Sequence, residues 1–131
     1  MINSATAKQA FRTLMAMAGD EPTRTWRLQE LADAAQVGAP YLGRTLRRLA
    51  QAGIVQMKRG RGGGVTLGRS PDRVSLYQVL DALGVTESYS QCALRDGQCS
   101  DDDPCALHAT WTEVRRRLIT YMKTTTLDEL T

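Results

Sequence analysis

Apolar residues recur at helical spacing three times in the first half of the chain, then give way to short alternating runs. Over residues 4–18, Ala10, Phe11, Leu14, Met15, Met17 and Ala18 make a broad apolar face, and Ser4 or Thr6 can cap the helix. Gly19 ends it and Asp20-Glu21-Pro22 turns the chain. A second helix over about 28–36 places Leu28, Leu31, Ala32 and Ala35 on one side, before the tight turn Val37-Gly38-Ala39. Pro40 then falls in the first turn of a third helix reaching about residue 52, where a missing N–H costs nothing. Its Leu42, Leu46 and Leu49 face inward, Arg44, Arg47 and Arg48 face outward, and Gly53 stops it.

Residues 54–58 and 65–67 read as strands joined by Arg59-Gly60-Arg61-Gly62-Gly63-Gly64. Ser70-Pro71-Asp72 breaks the chain, and Ser75 caps a helix to about residue 83 with the stripe Leu76, Val79, Leu80 and Leu83. Gly84 ends that helix. A long helix over about 106–123 carries Leu107, Trp111, Val114, Leu118 and Tyr121 at steps of 4, 3, 4 and 3, a seam suited to a second long helix. The chain has no other long helix, so a second copy is the natural partner; packing against its own domain is the alternative. Residues 126–130 form a short capped turn.

Helix, turn, helix, with arginines on the outer face of the second, fits a helix-turn-helix, a weak pattern alone. A hairpin with a basic glycine-rich tip strengthens it, because such a tip can lie on a phosphate backbone or enter a minor groove. The glycines do not make a nucleotide-phosphate loop: no Gly-Lys-Ser/Thr follows and no βα unit surrounds them. For Arg59 and Arg61 a solvated turn is the bland alternative. The expected architecture is mainly α: a winged helix-turn-helix in residues 1–70, then a cysteine loop and a long dimerisation helix in residues 71–131.

Charge sharpens this division. Of the 131 residues, the first 70 hold 11 Lys/Arg against 4 Asp/Glu, and the remainder 6 against 10, so a polyanion-binding front precedes an acidic back. The start lacks a basic segment followed by an apolar run, and no window approaches the roughly 18 apolar residues of a membrane span. The expectation is a cytoplasmic protein, where thiols stay reduced and clustered cysteines favour metal or redox chemistry over disulfides.

All three cysteines and the only histidine lie in one polar stretch, spaced Cys92-x6-Cys99-x5-Cys105-x2-His108, the histidine one turn into the long helix. A loop of Gly, Asp, Ser and Pro has little apolar content to hold its shape, so a bound metal centre is the economical explanation. Cys3His also suits tetrahedral zinc, although zinc fingers space their cysteines more closely. Buried structural thiols and a handling disulfide are the remaining alternatives. Trp111 reads as interface core near this loop, Tyr41 as a DNA contact or a partly buried core residue, and Trp26 has no assigned role.

The ordered set Tyr41-Leu42, Gly53-Ile54-Val55, Arg59-Gly60-x-Gly62-Gly63-Gly64, Cys105-x2-His108-Ala109-x-Trp111 and Thr126-Leu127-x-Glu129-Leu130 resembles the Rrf-two family of winged-helix transcription regulators, over nearly the whole chain. It is most similar to the family's iron–sulfur cluster regulators. The resemblance implies a homodimeric, cluster-sensing repressor on an inverted or partly symmetric operator in double-stranded DNA, not an enzyme, with no small-molecule substrate. It makes Cys92, Cys99, Cys105 and His108 ligands of a 2Fe–2S cluster, and assigns DNA contacts to Pro40, Tyr41, Arg44, Arg47, Arg48, Lys58, Arg59 and Arg61. Nitric-oxide-sensing members hold 4Fe–4S with an aspartate from the first helix; Lys8 stands at that position here and cannot ligate iron. Two other functions stay open, a zinc-stabilised DNA-binding module without sensing and a small iron–sulfur electron carrier.

This chain departs from the family pattern in two places. The first cysteine gap is one residue longer than usual. Gly43 replaces a common acidic residue in the recognition helix, so it cannot accept from a cytosine amino group. Asp101-Asp102-Asp103 adds negative charge beside Cys105 and should lower a cluster's reduction potential; an unmoved potential in an Asp→Asn triple variant would refute this.

Overall fold

The computed structural model describes residues 4–19 and 21–131; the Asp20 part of the first expected turn lies outside them. Helices α1 (Ala5–Gly19), α2 (Leu28–Ala35) and α3 (Ala39–Gln51) pack around Leu14, Met17, Leu31, Leu42, Leu46 and Leu49, all essentially without solvent exposure. Leu28, expected inward, is instead 37% exposed at the first position of α2. Gln36 closes α2 in the left-handed conformation, its N–H donating to the carbonyls of Ala32 and Asp33, and Val37 inserts into the core.

Strands β1 (Val55–Lys58) and β2 (Gly64–Leu67) form an antiparallel hairpin with Val55 opposite Leu67 and Lys58 opposite Gly64. Trp26 explains its own position: its backbone exchanges hydrogen bonds of 2.8 and 2.7 Å with Val65, adding a strand-like rung while the indole is buried. Gly64 permits this approach, since a Cβ there would lie 2.3 Å from the Trp26 carbonyl oxygen. Three helices plus this hairpin make the winged helix.

The remainder packs back onto the same core. Ser75 and Gln78 form a reciprocal capping box at the start of α4 (Leu76–Ala82). Val74, Val79, Leu83 and Leu127 belong to the same buried cluster as α1–α3, so residues beyond 70 share the winged helix's core. A smaller cluster of Ala7, Leu76, Leu80, Tyr89 and Met122 seats α5 (His108–Thr124) against α4. The helix starts at His108, two residues later than the pattern predicts, so His108 is its first residue and not one turn in. The turn closed by His108 N–H to the Cys105 carbonyl (3.1 Å) occupies residues 105–107 ahead of the helix. Among the described residues no helix is long and apolar enough to cross a membrane.

Candidate cysteine centre and nucleic-acid interface

A five-residue 3-10 helix (Thr86–Ser90) leads from α4 into the cysteine loop. The loop's neck is a miniature hairpin: Gln91 bridges Gln98, Cys92 N–H donates to Gly97 O (2.9 Å) and Cys99 N–H donates to Ser90 O (3.0 Å). Cys92 and Cys99 therefore stand on opposite sides of one rung. The indole N–H of Trp111 donates to Gln91 O at 3.0 Å, pinning the neck to α5. Farther out, Arg95 spans the loop to Asp103, donating to its carbonyl (3.1 Å) and carboxylate (2.9 Å).

These constraints bring all four expected ligands, Cys92, Cys99, Cys105 and His108, onto the wall of one cleft of about 160 Å³. The Cys92 and Cys105 sulfurs lie 3.5 Å apart, with all three cysteines free and half-buried. Backbone N–H groups of Arg95 (3.3 Å) and Leu94 (3.5 Å) point at the Cys92 sulfur, and these two donations are the main reason its thiol pKa falls to about 7. The Cys99 sulfur faces the Gln91 carbonyl at 3.7 Å, and His108 Nε2 lies 2.8 Å from Asp101 Oδ1. Among the described residues no three His, Cys, Asp or Glu side chains converge tightly enough to grip an ion as they stand. The donor set nevertheless fits a thiolate-ligated metal group: three sulfurs and an imidazole border one space, two N–H groups stabilise thiolate charge, and a carboxylate orients the imidazole. Of the three aspartates expected to act as free negative charge, Asp103 is paired with Arg95 and Asp101 with His108.

Helix α3 presents Pro40, Arg44 and Arg47 to solvent. Tyr41 is half-buried, its hydroxyl 2.6 Å from Thr6 Oγ1 of α1, with Arg44 over its ring. Arg48 is more constrained than the sequence suggests: its guanidinium donates to Leu83 O, the C-terminal carbonyl of α4, at 3.2 Å. Thr6, Tyr41, Arg44, Thr45 and Arg48 line a cleft of about 180 Å³. Lys58, Arg59 and Arg61 stand exposed at the tip end of the hairpin. Thr6 and the Trp111–Gln91 bond were missed from sequence; Thr6 showed only as a possible helix cap, and nothing marked Gln91. The seam of α5 is open, with Leu107, Val114 and Tyr121 exposed and Trp111 and Leu118 half-buried.

A winged helix that exposes arginines on its second helix and a basic hairpin tip is the architecture of a DNA-binding transcriptional regulator, not an enzyme. The chain belongs to the Rrf2 family, whose description is iron-dependent transcriptional regulator and which matches residues 3–131. It is 30% identical over 103 residues to the HTH-type transcriptional regulator IscR of Pectobacterium carotovorum, covering 79% of this chain and 62% of IscR, so it spans less than two thirds of that relative. Among solved structures it is similar to CymR, the global cysteine regulator of B. subtilis (TM-score 0.71, 23% identity, 97% of this chain and 93% of that one). It is also similar to IscR of T. potens (TM-score 0.64, 24% identity, 93% and 78%).

Proposed function

We propose that two copies of this chain form a repressor that binds an inverted or partly symmetric operator in double-stranded DNA and reports the state of a 2Fe–2S cluster held by Cys92, Cys99, Cys105 and His108. The observation that carries this reading is the single cleft bordered by those four side chains, with backbone N–H groups already turned toward one sulfur. Bound there, a cluster supplies a one-electron couple, with one imidazole making the ligand set less negative than four thiolates would. Lys8 in place of an acidic ligand favours 2Fe–2S over 4Fe–4S.

The chain's own residues connect this loop to DNA. Trp111 ties the loop neck to α5, whose exposed seam Leu107, Trp111, Val114, Leu118 and Tyr121 is the dimer surface. Arg48 ties the recognition helix to the end of α4, from which the 3-10 helix leads back to the neck. Ordering residues 92–108 biases both ties, and with them the spacing of two recognition helices, a two-state switch set by a ligand. Pro40, Tyr41, Arg44, Arg47, Lys58, Arg59 and Arg61 meet phosphates and grooves.

The test is oxygen-free purification, a visible spectrum, and assays of iron, sulfide and zinc. About two irons and two sulfides per chain are expected. Colourless protein with one zinc per chain would leave a DNA-binding module with a structural metal. Equal operator binding with and without cluster would remove the switch. A second reading, a cluster-free thiol switch, is favoured by the 3.5 Å separation of Cys92 and Cys105 sulfurs and by the likeness to a cysteine regulator. It predicts metal-free protein in which a disulfide oxidant such as oxidised glutathione takes up the two electrons as Cys92 and Cys105 join, and a dithiol reductant restores both thiols.

A further inference from the structure

Helix α5 has an inner stripe as well as its exposed seam: Thr112, Arg115, Ile119 and Met122, at steps of 3, 4 and 3. Met122 is fully buried and Ile119 packs against the same cluster, yet between Thr112 and Ile119 stands a guanidinium. The neighbouring Arg116 and Arg117 both pair with Glu113. Arg115 has no ion pair or side-chain hydrogen bond among the described residues, and its Nη1 is out of reach of solvent without an acceptor. A charged donor left this way costs free energy that an anion would recover.

Arg115 lines a cleft of about 300 Å³ between α4, the 3-10 helix, the loop neck and α5. Tyr77, Tyr89, Ser90, Gln98 and Cys99 also border it, and no carboxylate does. The Tyr77 hydroxyl and the Gln98 carboxamide are unengaged among the described residues and can serve acceptor oxygens. The Tyr77 hydroxyl and the Gln98 amide beside one unpaired guanidinium, in a volume at the small end of metabolite pockets, match a planar or tetrahedral oxyanion and not a cation or an apolar ligand.

We propose that this cleft binds a small oxyanion, the carboxylate or phosphate of a metabolite, with Arg115 as its principal contact. The site lies outside the four-ligand cleft but shares Gln98 and Cys99 with it. A bound anion thus bridges α5 to the loop neck along the same route as Trp111, giving the regulator a second input that does not require a cluster.

Calorimetric titration of the full chain, as purified without oxygen and again after metal removal, with malonate and with inorganic phosphate against chloride at equal ionic strength, tests this. Saturable binding of at least one probe is expected, weakened at least tenfold by Arg115→Gln. Preference between malonate and phosphate distinguishes a carboxylate from a phosphate ligand. If Arg115→Gln does not fold, the exposed Gln98→Ala carries the test, with at least threefold weaker binding expected. Non-saturating heats, or binding unchanged in the variant that folds, overturn the proposal. So does binding that emerges only on dilution to monomer, because a second copy then covers the cleft.

Discussion

Cys92 illustrates how two backbone groups can set a side chain's chemistry. The N–H groups of Arg95 and Leu94 stabilise its thiolate, so the folded thiol ionises near 7, below the ordinary range of about 8.5. In reduced, metal-free protein the thiolate is populated above about pH 7 and lost as pH falls through it. Iodoacetamide labelling of Cys92 should therefore reach half its plateau rate near pH 7, and a midpoint at the ordinary thiol value would show that the donations are absent in solution. Gly43 is the opposite case, a residue the fold does not need. It is buried in α3 with ordinary backbone angles, and a Cβ there would meet only Arg47 Nη2 at 4.0 Å. Gly43→Ala should therefore stabilise the protein by about 0.5–1 kcal/mol, visible as a melting temperature a few degrees higher.

At the scale of elements, α3 carries two kinds of arginine that look alike in sequence. Arg44, over the Tyr41 ring, and Arg47 are exposed on its surface, whereas Arg48 donates to the end of α4. Replacing Arg44, Arg47, Arg59 or Arg61 with methionine should each reduce the salt slope of DNA binding by about 1. Arg48→Met should change that slope less and instead alter the difference in affinity between cluster-loaded and cluster-free protein. If all five variants lose the same slope, the Arg48 tie is not kept when DNA binds. The loop neck admits a similar test. Trp111→Phe keeps the ring but removes the donor to Gln91 O, worth about 0.5–1.5 kcal/mol. Amide exchange at Cys92 and Cys99, whose N–H groups close the neck, should accelerate roughly three- to tenfold; unchanged exchange would mean the indole bond does not hold the neck.

For the whole molecule, the decisive surface is the open seam of α5. Val114 and Tyr121 are 49% and 55% exposed in one chain, so a charge there need not disturb the core. Val114→Asp should shift sedimentation from dimer toward monomer while leaving the thermal unfolding of the winged helix in place, and should weaken binding to a two-half-site operator far more than to a half-site. An unchanged dimer would return α5 to the alternative of packing only within its own chain. The chain beyond residue 70 and the recognition helix share one core, since Val74, Val79, Leu83 and Leu127 are buried together with α1–α3.

Periodicity and turn residues alone determined the five helices, the hairpin and the Ser75 cap, because each depends on neighbours within a few positions along the chain, while the family was legible as an ordered set of short motifs along nearly all of it. The four candidate ligands were legible for the same reason: the cysteines and histidine are few, polar in setting and close in sequence. Tertiary structure decided what depends on distant residues meeting. It turned Leu28 outward. It gave Trp26 its rung on Val65, Tyr41 its partner in Thr6, and Arg48 its carbonyl on α4. It also left Arg115 unpaired on an inner face where periodicity reads only a charged surface residue. Such pairings join positions tens of residues apart, and no local pattern records them.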